Sequence, residues 1–322
     1  MTKTVRNILT VSLLTLAFAG CGGGGSSSGD AVSLSFPTNS VAAEPTQANG
    51  AEVAQATVTQ DPSSDLTNLP LLNSVATTNA STTQISNQLF QNIKEKLTTL
   101  KPQIYALNET VNETSNCDGG GSMSISGSGS DTGGFTLTVT FNQCYQYGSS
   151  NALNGSIRLS ASNYNDAYED YTKYDIKFLT TYTYGNITVA RGSYYNQTIN
   201  TFDLFTNPRN YDLEISLIVD YNGIKYGIKD AFFNYVIDPD SYSMTYTQTK
   251  GRIYLGNDLI KYVDVDTSYN PPVQFTYYFG TLESGTGHYI MSNNATLEIN
   301  ATGSDGYDVT INNDGNISTQ SY

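Results

Sequence analysis

A single histidine, His288, among 322 residues narrows the chemistry open to this chain. Paired-imidazole metal motifs of the His-Glu-x-x-His kind need two histidines and are excluded. His288 follows Gly285-Thr286-Gly287 and precedes Tyr289-Ile290, the setting of a strand start; a general base there would need a reacting group beside it. The one Gly-x-Ser-x-Gly match, Gly25-Ser26-Ser27-Ser28-Gly29, lies in a Gly/Ser run with no strand pattern before it and no helix pattern after it, so it is no strand-to-helix turn holding a strained nucleophilic serine. The glycine runs at Gly22–Gly25 and Gly119–Gly121 do not open a helix after a strand, so neither cradles phosphate. Three runs offer oxygen ligands to calcium: Asp238-Pro239-Asp240, Asp264-Val265-Asp266 and Asn312-Asn313-Asp314-Gly315-Asn316. None has the ligand spacing of an EF-hand loop, and side-chain-to-backbone turn bonds account for them more simply. Carboxylate pairs for glycoside hydrolysis need not be close in sequence, and among 29 acids no motif selects one. The chain is therefore expected to hold no catalytic residue, metal or cofactor. The densest unusual patch is aromatic, with Tyr164, Tyr168, Tyr171 and Tyr174 interleaved with Asp166, Glu169, Asp170 and Asp175. Rings beside carboxylates suit stacking on sugars or gripping a partner protein. A polar loop between two Tyr-rich strands is the plainer use.

The amino terminus carries Lys3 and Arg6, then an apolar run from Ile8 to Phe18, then Ala19-Gly20 ahead of Cys21. A charged start, a short apolar core and a small-residue end form the pattern of a secretory signal over residues 1–20. Its apolar run of about 11 residues falls short of the ~20 that a spanning helix needs. A cysteine directly after small residues resembles the lipobox of bacterial lipoproteins, with Phe18 standing where that family prefers Leu. The resemblance implies cleavage before Cys21, a lipid on its sulfur and acylation of the new amine, so that a membrane becomes a partner through the anchor. Several acyl chains hold far more firmly than one, at ~0.8 kcal/mol per buried CH₂. In that family an Asp after the cysteine retains the protein at the inner membrane; Gly22 points instead to the outer membrane. With Cys21 taken by lipid, Cys117 and Cys144 are left as one pair, which an oxidising envelope would join in a disulfide.

Charge argues in the same direction. The chain has 15 basic and 29 acidic residues, a formal charge of −14, and loss of Lys3 and Arg6 with the signal makes it more negative. Nucleic acid is excluded as a partner, since phosphate binding needs clustered Lys and Arg. Anionic membrane surfaces would repel the body, so membrane residence depends on lipid.

The elements that must position any site follow from periodicity. Residues 21–80 are rich in Gly, Ser, Thr, Ala, Asn, Gln and Pro, and are expected to form a disordered tether. From Ser81 a capping box (Ser81-Thr82-Thr83-Gln84) precedes Ile85, Leu89, Ile93, Leu97 and Leu100, so an amphipathic helix is expected over 81–114. Residues 115–322 read as antiparallel β. Phe135, Leu137, Val139 and Phe141 alternate with threonines, and Tyr211 to Tyr221 alternates likewise before Asn222-Gly223, a tight hairpin signal. With 25 Tyr, 12 Phe and no Trp, the composition favours strands. The expected fold is mainly β, a large curved antiparallel sheet of roughly 11–14 strands packed on one N-terminal amphipathic helix. A membrane-spanning barrel is disfavoured because Asn312 to Gln320 is almost wholly polar. Cys117-Asp118-Gly119-Gly120-Gly121, the strand ending at Cys144, and Leu153-Asn154-Gly155-Ser156-Ile157 resemble a loose group of proteobacterial β-rich lipoproteins. That resemblance implies the disulfide and the sheet, and carries no activity.

The expected role is thus structural or binding, non-enzymatic and lipid-anchored, with glycan, lipid or an envelope protein as partner. The alternatives are a carrier of lipid or another hydrophobic ligand, built like a sorting-factor half-barrel, and a surface adhesin or glycan binder. A hydrolase would need acids clustered in a cleft near His288.

Overall fold

A computed structural model of the protein describes residues 32–58, 110–117, 119–130, 133–145, 150–167, 170–202, 208–238, 240–278 and 281–322. The body from Val32 onward holds, among the described residues, one α-helix and 18 strands in a single sheet. The helix is α1 (Gln47–Val58), and a two-residue strand, β1 (Val41–Ala42), precedes it. The strands that follow are β2 (Thr110–Asn116), β3 (Ser122–Ser130), β4 (Gly134–Tyr145), β5 (Ala152–Asn165), β6 (Asp170–Phe178), β7 (Tyr182–Tyr184), β8 (Ile187–Val189) and β9 (Tyr194–Phe202). Then come β10 (Pro208–Tyr221), β11 (Ile224–Asp238), β12 (Ser243–Leu255), β13 (Lys261–Val265), β14 (Val273–Tyr278), β15 (Thr281–Ile290), β16 (Thr296–Gly303), β17 (Gly306–Asn313) and β18 (Asn316–Ser321).

The ladders between them form a long meander. β2 to β5 pair in turn; β6 and β7 both pair with β5, end to end. β9 and β8 likewise share one position against β10, and β10, β11 and β12 are the longest consecutive hairpins. β13 and β14 divide the next position, and β15 to β18 complete the series. Every pairing is antiparallel except that of β1 with β13. The mainly β expectation therefore holds. Three interruptions that each split one strand position in two, together with the two-residue β1 outside the expected β region, raise the strand number from 14 to 18 and so above the range expected from alternation.

Period-two alternation puts one side of each strand in the core and the other outward. Phe135, Leu137, Val139 and Phe141 are buried while Thr136 is exposed and Thr138 and Thr140 are half-buried. Across β10, β11, β12 and β14 the inner face carries a row of directly opposed rings, Tyr211, Tyr235, Tyr246 and Phe275. Successive centroids lie 4.8, 6.0 and 5.7 Å apart, a spacing at which aromatic pairs add to simple burial. Gly285 ends the row opposite Phe275 with φ +134°, and a Cβ there would meet the Phe275 ring at 2.8 Å. Glycine lets the ring lie down on the backbone.

The helix differs from expectation. Residues 32–58, read as tether, belong to the folded body, and the helix there is α1. The stretch 59–109, including most of the helix expected over 81–114, lies outside the described residues, while 110–114 falls in β2. Thr46 starts α1: its hydroxyl accepts from Asn49 N at 3.3 Å and its carbonyl from Gly50 N at 3.0 Å. Gly50, Val53, Ala54, Thr57 and Val58 recur at helical spacing and are all buried. The stripe is made of small residues, so it escapes a search for large apolar ones. Small residues are what the contact requires, because α1 lies directly on β12, β16 and β17. A Cβ added at Gly50 would stand 2.7 Å from Val309 Cγ1 and 3.3 Å from Leu297 Cδ1.

The carbonyls at the helix end have no intrahelical partners, and the sheet supplies them. The Tyr246 hydroxyl donates to Thr57 O, and the Tyr277 hydroxyl to Val58 O at 2.9 Å. At the other end Gln47 Nε2 donates to Ser318 O at 3.0 Å. A disulfide joins Cys117 to Cys144 with Cα atoms 5.4 Å apart, across a separation of 27 residues. On the chain-entropy account such a loop closure stabilises by about 3.5 kcal/mol.

Candidate functional site

The outward side of β5, β6 and β9 is where charged and aromatic groups gather. Arg158 lies between buried Ile157 and Leu159, Lys177 between buried Ile176 and Phe178, and Tyr194 between buried Ser193 and Tyr195. Alternation forces all three outward. Register then aligns them. Arg158 faces Lys177, and Lys177 faces Tyr194; one step along, Ser160 faces Asp175, and Asp175 faces Asn196. These six residues form a block of two rows across three strands, and the same six line a shallow depression of about 310 Å³.

The block has a defined polar character. Asn196, with its amide turned to donate, reaches Asp175 Oδ1 at 3.2 Å. On one flank Ser160 shares a hydroxyl–hydroxyl bond of 3.0 Å with Thr136. On the other, Tyr194 opposes Ser216 and Asn196 opposes Glu214 on β10. Ser216 bonds the Tyr194 phenol and accepts from Asp230 N at 2.8 Å. Burial, followed by the Glu214 and Asp230 carboxylates, raises the Tyr194 phenol above its ordinary range against the opposing Ser216 bond, so it stays neutral.

Two larger grooves, of about 600 and 560 Å³, share Lys225 and Asp258. Their carboxylates serve structure. Asp220 accepts from Gly223 N at 2.8 Å and Asp258 from Ile260 N at 3.3 Å, bonds that close turns. Glu52 on α1 accepts from Gly256 N at 2.8 Å and ties the helix to the turn after β12.

The residues singled out by sequence have these places. Cys21 and Tyr168 lie outside the described residues. Cys117 and Cys144 are bonded to each other. Tyr171 is 1% exposed and sits edge-on to Phe135 and Tyr164, at 5.4 and 5.3 Å, with Tyr174 at 6.5 Å. Tyr164 and Tyr174 are half-buried against the same core. These three rings form an aromatic cluster in which the central member offers no face to a ligand. His288 stacks flat on Tyr269 at 3.7 Å, and its Nδ1 is 3.7 Å from Glu298 Oε2, too far for a hydrogen bond. None of the three grooves is lined by it.

The candidate calcium runs are likewise occupied. Asp238 binds Asp240 N and the Ser241 hydroxyl, Asp264 pairs with Arg252, and Asn312 accepts from Gly315 N. Among the described residues no group of three or more His, Cys, Asp or Glu side chains is placed to hold a metal.

Sequence reasoning passed over Arg158, Lys177, Tyr194 and Asn196. Each reads singly as the polar member of an alternating strand, and β9 has no strong apolar period. Only the register brings them together. Comparison with protein-family models, characterised proteins and solved structures finds no match to the chain, so its function must be argued from this face and from Cys21.

Proposed function

We propose that the chain is a lipid-anchored protein of the bacterial outer membrane whose β body binds a ligand and does not transform it. Cys21, directly after Ala19-Gly20 and a short apolar run, is the observation that carries the anchor. The binding role draws support from the outward block on β5, β6 and β9, where cations, an aromatic ring and amide or carboxylate groups share one depression. It draws further support from three of the acids first considered for chemistry: Asp238 and Asp266 are engaged in turns and Asp264 in the Arg252 ion pair. A glycan-binding role is favoured over lipid carriage. The contact of α1 with the sheet is close-packed at Gly50, whereas a carrier would need open apolar space between helix and sheet. Ile93 and Leu97 of the helix expected over 81–114 lie outside the described residues.

Expression of the full chain in a Gram-negative host with labelled palmitate tests the anchor. The wild type should take up label and fractionate with outer membrane. Cys21→Ser should lose both the label and the membrane association. Unchanged processing and fractionation of Cys21→Ser would refute the anchor.

A further inference from the structure

The outward block holds two cations in an arrangement that sheet stability opposes. Arg158 and Lys177 are direct register partners, which sets their Cβ atoms about 5 Å apart. Like charges directly opposite each other destabilise a sheet. Neither side chain has an ion pair or side-chain hydrogen bond among the described residues. The chain has 29 acids for 15 bases, so pairing partners are not scarce. Arg252 shows how this sheet holds a structural arginine. Its Nε and Nη2 donate to Asp264 at 2.7 and 2.9 Å, and its guanidinium lies 3.5 Å over the Tyr262 ring. Arg158 has no such arrangement.

We infer that this block is a binding site for an acidic sugar residue, one that carries a carboxylate or phosphate group and free hydroxyls. Each part of the ligand is set by a group already placed. The guanidinium of Arg158 is a planar fork suited to an oxyanion, and the Lys177 ammonium adds a second charge beside it. One row away Asp175 is an acceptor only; its Oδ1 accepts from Asn196, and its other oxygen suits a donor from the ligand, as a sugar hydroxyl is. Asn196 and Ser160 offer further hydrogen bonds to hydroxyls, and Tyr194 lines the same depression with an aromatic ring and a neutral phenol. A small inorganic anion held by the two cations would not also reach Asp175, two residues along the strand and roughly 6–7 Å away. A neutral sugar would leave both cations unpaired. The depression, about 310 Å³, is at the small end of ligand sites, roughly 300–1,000 Å³, and fits one ring of a longer glycan. The inference rests on the body being a binding module, and it is independent of the lipid anchor.

The test is titration calorimetry on the full-length protein in neutral detergent, with an oligogalacturonate, galactose 6-phosphate, maltotriose and inorganic phosphate as probes. One or both acidic sugars should bind, and which of them binds more tightly identifies the anionic group. Arg158→Ala and Lys177→Thr should each weaken that binding about tenfold or more. Because these substitutions remove a like-charge opposition, the urea midpoint should stay level or rise. A structural role for the pair would lower it. Equal binding of maltotriose, displacement of the sugar by inorganic phosphate at matching affinity, or unchanged affinity in both variants would each overturn the inference. The same titration on Cys21→Ser separates the two proposals. Sugar binding that survives in that variant without palmitate upholds the site, whatever becomes of the anchor; its absence in palmitate-bearing wild type removes the site alone.

Discussion

Gly50→Ala distinguishes a seated helix from a loose one by the sign of its effect. In an exposed helix interior, replacing Gly by Ala stabilises by up to about 1 kcal/mol through backbone entropy. Here the new methyl carbon would stand 2.7 Å from Val309 Cγ1, 3.3 Å from Leu297 Cδ1 and 3.4 Å from Ile311 Cδ1. Val309 and Leu297 are fully buried on adjacent strands β17 and β16, so the nearest atom cannot swing into solvent. Overpacking of this kind costs about 1–3 kcal/mol. The steric cost exceeds the entropic gain, for a net destabilisation of about 1 kcal/mol. Urea unfolding of the full chain reads it, with tyrosine emission as the signal since the chain has 25 Tyr and no Trp. Val309→Ala removes the clashing methyl groups. The double variant should therefore lose less stability than the two single ones together, by about 1 kcal/mol. A rise in the midpoint of Gly50→Ala would mean that α1 does not rest on the sheet.

Two further outcomes follow from the phenols of the inner face. Tyr277→Phe removes the donor to Val58 O and leaves a buried carbonyl one bond short, at a cost of about 1–2 kcal/mol. Amide exchange in α1 should accelerate while that of β4 and β5 does not; uniform acceleration would argue against a local cap. Burial raises the Tyr211, Tyr235 and Tyr246 phenols well above their ordinary value of 10.0. Below pH ~10 both folded and unfolded chains keep these protons, and the stability is fully present. As pH climbs past ~10 the unfolded chain releases protons that the folded chain retains, so stability falls by up to about 1.4 kcal/mol per pH unit for each such tyrosine. Urea midpoints measured between about pH 9 and pH 11 check this. Phenolate absorbance from the whole tyrosine complement while the protein is still folded would refute it.

Much of the sheet was legible because strands with one wet face write their geometry into alternation. Asn222-Gly223 does join β10 to β11, with φ +54° and +81°, and Gly185-Asn186 joins β7 to β8. Alternation runs unbroken from Ile176 to Tyr184, yet the chain divides there into β6 and β7, and nothing in the pattern marks Leu179 to Thr181 as an interruption. β3 was missed because Ser122 to Ser130 has only Met123 and Ile125 as apolar marks. α1 was missed for a related reason. A helix seated on a sheet through Gly50 and Ala54 shows no hydrophobic stripe of ordinary size, and its Ala, Gly and Gln content mimics a linker. The outward block was illegible in principle from single strands. Arg158, Lys177 and Tyr194 are 36 residues apart end to end, and they become neighbours only when two ladders settle in one register and not another.

The seating of α1 also orders events in time. Gln47 bonds to residues 262 and 271 positions further on, whereas the strands mostly pair with those next to them in sequence. Closing so long a loop costs about 5 kcal/mol in chain entropy, so docking waits until the last hairpins exist. A segment near the amino terminus is made early and must then idle, solvated, through most of synthesis. A face of glycine, alanine, threonine and two valines can idle with less sticking to its surroundings than a face of leucines.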